Sequence, residues 1–193
     1  MSLIFESVHG SGEVFMDVMN SIIGSDRRKM LDLGCNHAPY TSQFGFKQRK
    51  YIDILPRVLD NKDEQQYFEQ ADAIEILNRN EYYDCIFSLD HIEHVSKEYG
   101  WEMILKMKLS CNKPILFTPL DPWMMTDESD KNPESHRSLW SPEDMGVSWA
   151  KIIFPHYHPI LNIGAWFFWN CRDIDEDFYR VKTELNQKRW AKH

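Results

Sequence analysis

Apolar residues recur along this chain at two spacings, one typical of helices and one typical of buried strands. At positions 12–23 they recur every three or four residues, which predicts an amphipathic helix with one face on the core. Short apolar runs bounded by small or polar residues predict strands. The predicted strands cover residues 29–34, 50–54, 67–70, 83–88, 114–118, 150–154 and 162–170.

Segments with helical spacing separate most of these strands. The pattern predicts further helices at residues 39–46, 58–65, 73–77 and 92–109. Strands that alternate with helices form a mostly parallel sheet with helices on both faces, so we predict a doubly wound α/β fold. Such a sheet binds its ligand beyond the carboxyl ends of the strands, and functional residues are therefore expected there.

A single domain over residues 1–193 is expected, because the chain is long enough for one sizeable core and short for two. Residues 120–140 follow the fifth strand and are polar, yet they contain aromatic and histidine side chains. Loops of that length are usually functional, so we predict a lid loop with His136 and Trp140 on its inner face. Residues 173–193 are predicted to form a charged C-terminal tail.

Composition narrows the possible partners. The net charge is −8 and no dense cluster of Lys and Arg is present, whereas proteins that bind nucleic acid usually carry a basic patch. Nucleic acid is therefore an unlikely partner. No apolar run is long enough to cross a bilayer and no signal peptide is evident, which predicts a cytoplasmic protein without membrane contact. The four cysteines are scattered without a C-x-x-C pair, and no metal site is predicted.

Two motifs lie at the ends of predicted strands. The first is LDLGC at residues 31–35, a strand that carries an acid and ends in a turn. The second is YDCIFS at residues 83–88 followed by DHIEHV at residues 90–95. Together they resemble the motifs of class I, Rossmann-like S-adenosylmethionine-dependent methyltransferases, and the resemblance covers residues 29–118 in order. It implies S-adenosylmethionine as cofactor and a mostly parallel seven-stranded sheet with an antiparallel last strand.

The residues that follow the strands are the predicted cofactor site. Gly34 lacks a Cβ and lets the backbone approach the cofactor, and Asn36 tolerates a positive φ. Asp53 can accept both ribose hydroxyls, unless it is merely a solvated carboxylate at a strand end. Asp72 is assigned by the resemblance to the adenine amino group, with a helix N-cap as the alternative. The complete predicted set is Asp32, Gly34, Asn36, Asp53, Ile54, Asp72, Ala73, Ser88, Leu89 and Asp90.

The sequence departs from the family in the turn itself. The family's G-x-G-x-G pattern is replaced by GCNHA at residues 34–38. One alternative is therefore a methyltransferase-like binding module without activity. A second alternative is a nicotinamide-dependent oxidoreductase, although Asn36 and Pro39 stand where its G-x-G-x-x-G pattern needs glycine.

Two histidines are the predicted catalytic residues. His136 lies in the predicted lid, and His94 begins the helix after the fourth strand. Each could orient an acceptor or take its proton near neutral pH. The acidic balance favours a small-molecule acceptor. The sequence identifies neither the acceptor atom nor the oligomeric state.

Overall fold

A computed structural model of the chain describes residues 1–4, 12–25, 27–120, 132–158 and 163–190. In chain order its elements are β1 (Ser2–Ile4), α1 (Gly12–Ile23), β2 (Lys29–Leu33), β3 (Gln48–Asp53), β4 (Phe68–Gln70), α2 (Ala73–Leu77), β5 (Tyr83–Leu89), α3 (Lys97–Ser110), β6 (Cys111–Pro119), β7 (Ala150–His158), β8 (Ile163–Trp169) and α4 (Ile174–Trp190). None of the helices in these ranges has the length and apolarity needed to cross a membrane.

The strands form one sheet in the order β1-β7-β8-β6-β5-β2-β3-β4. All neighbouring pairs are parallel except those of β8, which lies antiparallel between β6 and β7. The predicted fold class is confirmed: the sheet is mostly parallel and its last strand is antiparallel. All seven predicted strands are present, and an eighth, β1, pairs with β7. Three residues are too few to show an alternating pattern, so β1 was not predictable.

Helices cover both faces of the sheet, as predicted. Helices α1 and α4 pack on one face, where they cover side chains such as Phe87 and Ile115. Helices α2 and α3 pack on the other face over Ile86 and Leu116. Adjacent residues of β5 and β6 thus belong to the hydrophobic cores on opposite faces of the sheet, because side chains alternate across a strand.

Three predicted helices differ from the observed elements. Residues 58–65 contain only the first part of a 3₁₀ helix, which spans Lys62–Tyr67 with Asn61 as its N-cap. Residues 39–46 contain only a 3₁₀ turn at Thr41–Gln43, because Phe44 and Phe46 are both buried and a helix would point them in opposite directions. Residues 92–109 divide at Val95, which is extended. A 3₁₀ turn precedes it, and α3 begins at Lys97 with Ser96 as its N-cap.

The predicted C-terminal tail is largely helix α4. Its residues Phe178, Val181 and Leu185 recur at helical spacing and are buried against the sheet and α1. Asp177 fixes the start of the helix: it accepts hydrogen bonds from Lys113 Nζ (3.0 Å) and Trp169 Nε1 (2.8 Å). Most other charged side chains of this segment, such as Lys182, lie on its exposed face, so a charged composition did not exclude a packed helix.

Asp177→Ala should lower the free energy of unfolding by about 2–4 kcal/mol, because it leaves the Trp169 N–H without its acceptor and the largely buried Lys113 ammonium without a carboxylate, with only the Ile22 carbonyl as its partner. Lys188→Ala is the matched control. It removes another ion pair of α4, Asp17–Lys188, whose side chains are 34% and 44% exposed, and should cost less than about 1 kcal/mol. Urea unfolding measures both, and equal losses would contradict this account of α4.

Candidate functional site

A cavity of about 880 Å³ lies at the carboxyl ends of β2, β3, β4 and β5. Its volume falls within the range of small-molecule and cofactor sites. The strands end at the same edge because they are parallel, and the polar residues that follow them therefore converge. Seven of the ten predicted cofactor residues line the cavity: Gly34, Asn36, Asp53, Ile54, Asp72, Ala73 and Asp90.

The other three predicted residues lie beside or beneath this cavity. Asp32 and Leu89 line a smaller cavity of about 100 Å³, which shares Gly34 and Asp90 with the larger one. Ser88 is fully buried, and its Oγ lies 3.2 Å from Nδ1 of His91. Ser88 therefore positions His91, which itself lines the larger cavity.

The turn after β2 has left-handed backbone at three residues. Gly34, Asn36 and Ala38 have φ values of 66°, 48° and 50°. The predicted positive φ at Asn36 is confirmed. A Cβ on Gly34 would collide with the imidazole ring of His91. The glycine is therefore needed for the approach of His91, in addition to the close cofactor approach expected from the sequence.

Asp53 holds this turn in place. It is 6% exposed, so the alternative of a solvated strand-end carboxylate is wrong. Its Oδ2 accepts a hydrogen bond from the N–H of Asn36 (3.0 Å), and its Oδ1 accepts one from the N–H of Leu55 (2.9 Å). Arg57 Nε lies 3.2 Å from Oδ2. The carboxylate thus has structural partners on both oxygens and still borders the cavity.

Asp72 is the N-cap of α2, as the alternative interpretation of this residue predicted. Its Oδ1 accepts hydrogen bonds from the N–H groups of Ile74 (2.9 Å) and Glu75 (3.1 Å). Its Oδ2 accepts the hydroxyl of Tyr99 (2.8 Å). Because Asp72 and Ala73 also line the cavity, capping does not compete with the predicted adenine contact, which stays a prediction.

Asp32 is buried at the end of β2 and is 2% exposed. The hydroxyl of Thr41 donates to its Oδ2 at 2.5 Å. Burial raises the pKa of Asp32 to about 7, and Asp53 also raises it, against the lowering effect of the Thr41 hydrogen bond. Asp32 therefore holds the 3₁₀ turn at Thr41–Gln43 against the end of β2.

The predicted catalytic residues meet at the other end of the cavity. His94 lines it, and the His136 ring contacts the His94 ring edge to face, with centroids 4.8 Å apart. Between them and the sheet lies Glu93, whose Oε2 accepts the Thr118 hydroxyl (3.0 Å). The Glu93 carbonyl accepts the N–H of Arg137 (2.7 Å) and so holds the segment that carries His136.

Only the second half of the predicted lid is described, and residues 121–131 lie outside the described ranges. Pro133, Glu134 and Arg137 border the cavity. Trp140 is 1% exposed and packs on Gly100, with its Nε1 donating to the Ile92 carbonyl (3.0 Å). Its predicted place on the inner face of an acceptor pocket is wrong, because α3 lacks a side chain at Gly100 and accommodates the indole.

Acidic and imidazole groups with altered pKa values crowd the end of the cavity at His94. Burial raises the pKa of Glu93 well above its usual range, and neighbouring Asp90 raises it further. The Asp90 side chain borders the cavity. Desolvation by the surrounding residues raises its pKa as well. Burial lowers the pKa of His91 to about 4 and that of His94 in the same direction, with each also lowered by a nearby histidine. The imidazoles are therefore neutral at pH 7.

Several cavity residues were not found from the sequence. Arg57 pairs with Asp53 and also with Glu134 (2.8 Å), which joins two segments 77 positions apart across the cavity mouth. Tyr99 and His91 were missed as well. Pairings across such distances leave no local pattern. The only available signal was the position of His91 inside the DHIEHV motif.

The chain has the fold of class I S-adenosylmethionine-dependent methyltransferases. A methyltransferase from Archaeoglobus fulgidus superposes with a TM-score of 0.58 at 15% identity, covering 83% of this chain and 94% of that one. The N-methyltransferase NodS from Bradyrhizobium japonicum WM9 gives 0.57 at 12% identity over 83% and 96%. NodS has also been solved with S-adenosylhomocysteine. No protein-family model and no curated protein matches the sequence.

A further similar structure is the small RNA methyltransferase HEN1, with a TM-score of 0.54 at 13% identity. The alignment covers 78% of this chain and 24% of that protein, so this chain spans about a quarter of its length. Identities of this size establish a shared fold and leave the acceptor of this chain open.

Gly34→Ala and Gly45→Ala separate the steric role of Gly34 from its backbone strain. Both glycines have φ near +70°, but only a Cβ at Gly34 meets another side chain. Gly45→Ala should cost about 1–2 kcal/mol of stability and Gly34→Ala about 3–4 kcal/mol. Adding His91→Ala to Gly34→Ala should recover part of the extra cost, because it removes the two ring atoms at 2.3 and 2.4 Å and leaves the His91 Cβ at 2.8 Å. Denaturant unfolding measures all three, and no rescue by His91→Ala would refute the contact.

Asp32 should make the stability of the ligand-free protein fall as pH rises. Its folded pKa of about 7 exceeds the ordinary value of 3.8, so the folded state binds more protons between these values. The lost stability is on the order of 2–4 kcal/mol by pH 8. Asp32→Asn should flatten this decline in urea unfolding between pH 5 and 8, whereas exposed Asp63→Asn should not. Parallel curves for Asp32→Asn and the unmodified protein would contradict the account.

Proposed function

We propose that this protein transfers a methyl group from S-adenosylmethionine to a small-molecule acceptor. The observation that carries the proposal is the cavity at the strand ends, lined by seven residues that the sequence motifs assign to the cofactor, on a methyltransferase fold. The motif alone is incomplete, because two of its glycines are replaced. The left-handed backbone at Asn36 and Ala38 supports a turn that keeps its shape without them.

Each cavity residue has a role that its chemistry supports. The Asp53 carboxylate has about four acceptor sites, so it can bind ribose hydroxyls while it holds Asn36 and Leu55. Ile54 is 59% exposed at the cavity wall and offers an apolar surface to an adenine ring. Ala73 at the start of α2 offers a small side chain that leaves space for the base, whereas the N–H groups of Ile74 and Glu75 are already bound by Asp72.

The cofactor, when bound, supplies a methyl carbon activated by the adjacent sulfonium. The protein must then hold the acceptor in line and exclude water. Asp90 and His91 lie at the end of β5, between the two ends of the cavity, and would face the reacting centre. His94, with His136 against its ring, would orient the acceptor, and as a neutral imidazole it can accept a proton.

A small-molecule acceptor is favoured over RNA by the charge around the cavity. Four carboxyl groups border it, against the two arginines Arg57 and Arg137, and the net charge of the chain is −8. Such a surface repels a polyanion, whose binding depends on neutralised phosphates. The segment with Pro133 and Arg137 also encloses one side of the cavity, which suits a compact substrate.

Ile54→Ala should weaken the binding of S-adenosylhomocysteine about 3- to 30-fold, because it removes roughly 1–2 kcal/mol of apolar contact. Val58→Ala is the matched control: it is 66% exposed, lies in the same loop and does not line the cavity. Calorimetry measures both, with NADH as a competing ligand class. Equal affinities of the two variants, or tighter binding of NADH, would contradict the proposed site.

The acceptor can be identified with methyl-tritiated S-adenosylmethionine. Incubation with a fractionated metabolite extract should label a low-molecular-mass product, whereas short single-stranded and duplex RNA should remain unlabelled. Labelled RNA without a labelled metabolite would overturn the small-molecule assignment. Tight cofactor binding with no label in any fraction would favour the alternative of an inactive binding module.

A further inference from the structure

Three side chains with metal-ligating atoms converge at the acceptor end of the cavity. One oxygen of Glu93 and one ring nitrogen each of His94 and His136 all lie within 4.8 Å of one another. The residues come from two segments that are 42 positions apart, and the Glu93 carbonyl fixes the second segment through Arg137 N. This convergence is therefore a feature of the tertiary structure, and sequence spacing alone gave no sign of it.

Two atoms of this cluster are buried and have no N–H or hydroxyl partner by geometry among the described residues, namely Glu93 Oε1 and His94 Nδ1, and the Asp90 carboxyl lies within hydrogen-bond reach of the Glu93 carboxyl. Glu93 is 3% exposed. The Asp90 and Glu93 carboxyls hydrogen-bond to each other, which requires a proton on one of them. A cation at the cluster would take the place of that proton and would bind the buried Glu93 oxygen, which otherwise lacks an N–H or hydroxyl donor among the described residues.

The donor set identifies the kind of cation. Imidazole nitrogen suits divalent transition metals better than Ca²⁺ or Mg²⁺, and one carboxylate with two imidazoles leaves coordination positions open. Ligand atoms at about 2.1 Å from one ion are about 3–3.5 Å apart. The three ligand atoms here lie within 4.8 Å of one another, so side-chain movements of less than about 2 Å would complete the site. Thr118 already orients the Glu93 carboxylate from outside the cluster, as partners of metal ligands usually do.

We propose that Glu93, His94 and His136 bind a divalent transition-metal ion whose open positions face the cavity. This departs from the sequence-based prediction of no metal site. Its role rests on the proposed methyl transfer: the ion would hold an oxygen or nitrogen of the acceptor beside the methyl donor. An acceptor hydroxyl held there would lose its proton to solvent more readily, and the two histidines would act as ligands of the ion, which replaces the proton-accepting role of His94.

The test uses the full chain after treatment with chelator and gel filtration. Mn²⁺, Co²⁺ and Zn²⁺ are titrated separately by calorimetry, and Mn²⁺ binding is checked by electron paramagnetic resonance. We expect one ion per chain for at least one metal. His136→Ala and Glu93→Gln should each weaken its binding at least tenfold, whereas exposed His156→Ala should leave it unchanged. Glu93→Gln keeps an acceptor for Thr118, so its fold should survive, which circular dichroism verifies.

Titration of S-adenosylhomocysteine on the same samples separates the two proposals. Cofactor binding without binding of any of the three metals overturns the metal site and leaves the methyltransferase proposal standing. Metal binding without cofactor binding overturns the methyltransferase proposal and leaves the metal site standing. Metal binding that is unchanged in both His136→Ala and Glu93→Gln places the ion elsewhere and also overturns this site.

Discussion

The turn between β2 and β3 is the constraint on which the proposed cofactor end of the cavity depends. Three left-handed residues allow the chain to reverse at the sheet edge, and a single glycine among them leaves room for His91. Asp53 stabilises the turn by accepting the Asn36 N–H, and the same carboxylate borders the cavity. A change at Asp53 or at Asn36 would therefore alter the turn and the cavity together.

A second constraint shapes the acceptor end. The 3₁₀ turn after β5 presents two carbonyls, those of Ile92 and Glu93, to the segment that precedes β7. Trp140 anchors this segment in a recess at Gly100, and His136 is thereby brought to His94. Structural contacts thus assemble the reactive groups, which explains how residues distant in sequence form one wall.

Sequence pattern predicted the strands, the faces of the helices and most residues at the strand ends, because burial imposes a regular spacing. It did not predict the irregular connections. Phe44 and Phe46 enter the core from a segment that resembles a helix, and α3 starts only after Val95. Arg57 and the cluster around Glu93 depend on pairings across 42 to 77 positions, which no local pattern encodes.

The central claim is that the cavity at the strand ends holds S-adenosylmethionine. A crystal structure of the protein soaked with S-adenosylhomocysteine tests it most directly. The account predicts density in the cavity, with the adenine against Ile54 and the ribose hydroxyls within hydrogen-bond distance of Asp53. An empty cavity at saturating ligand, or density at another place on the protein, would contradict it.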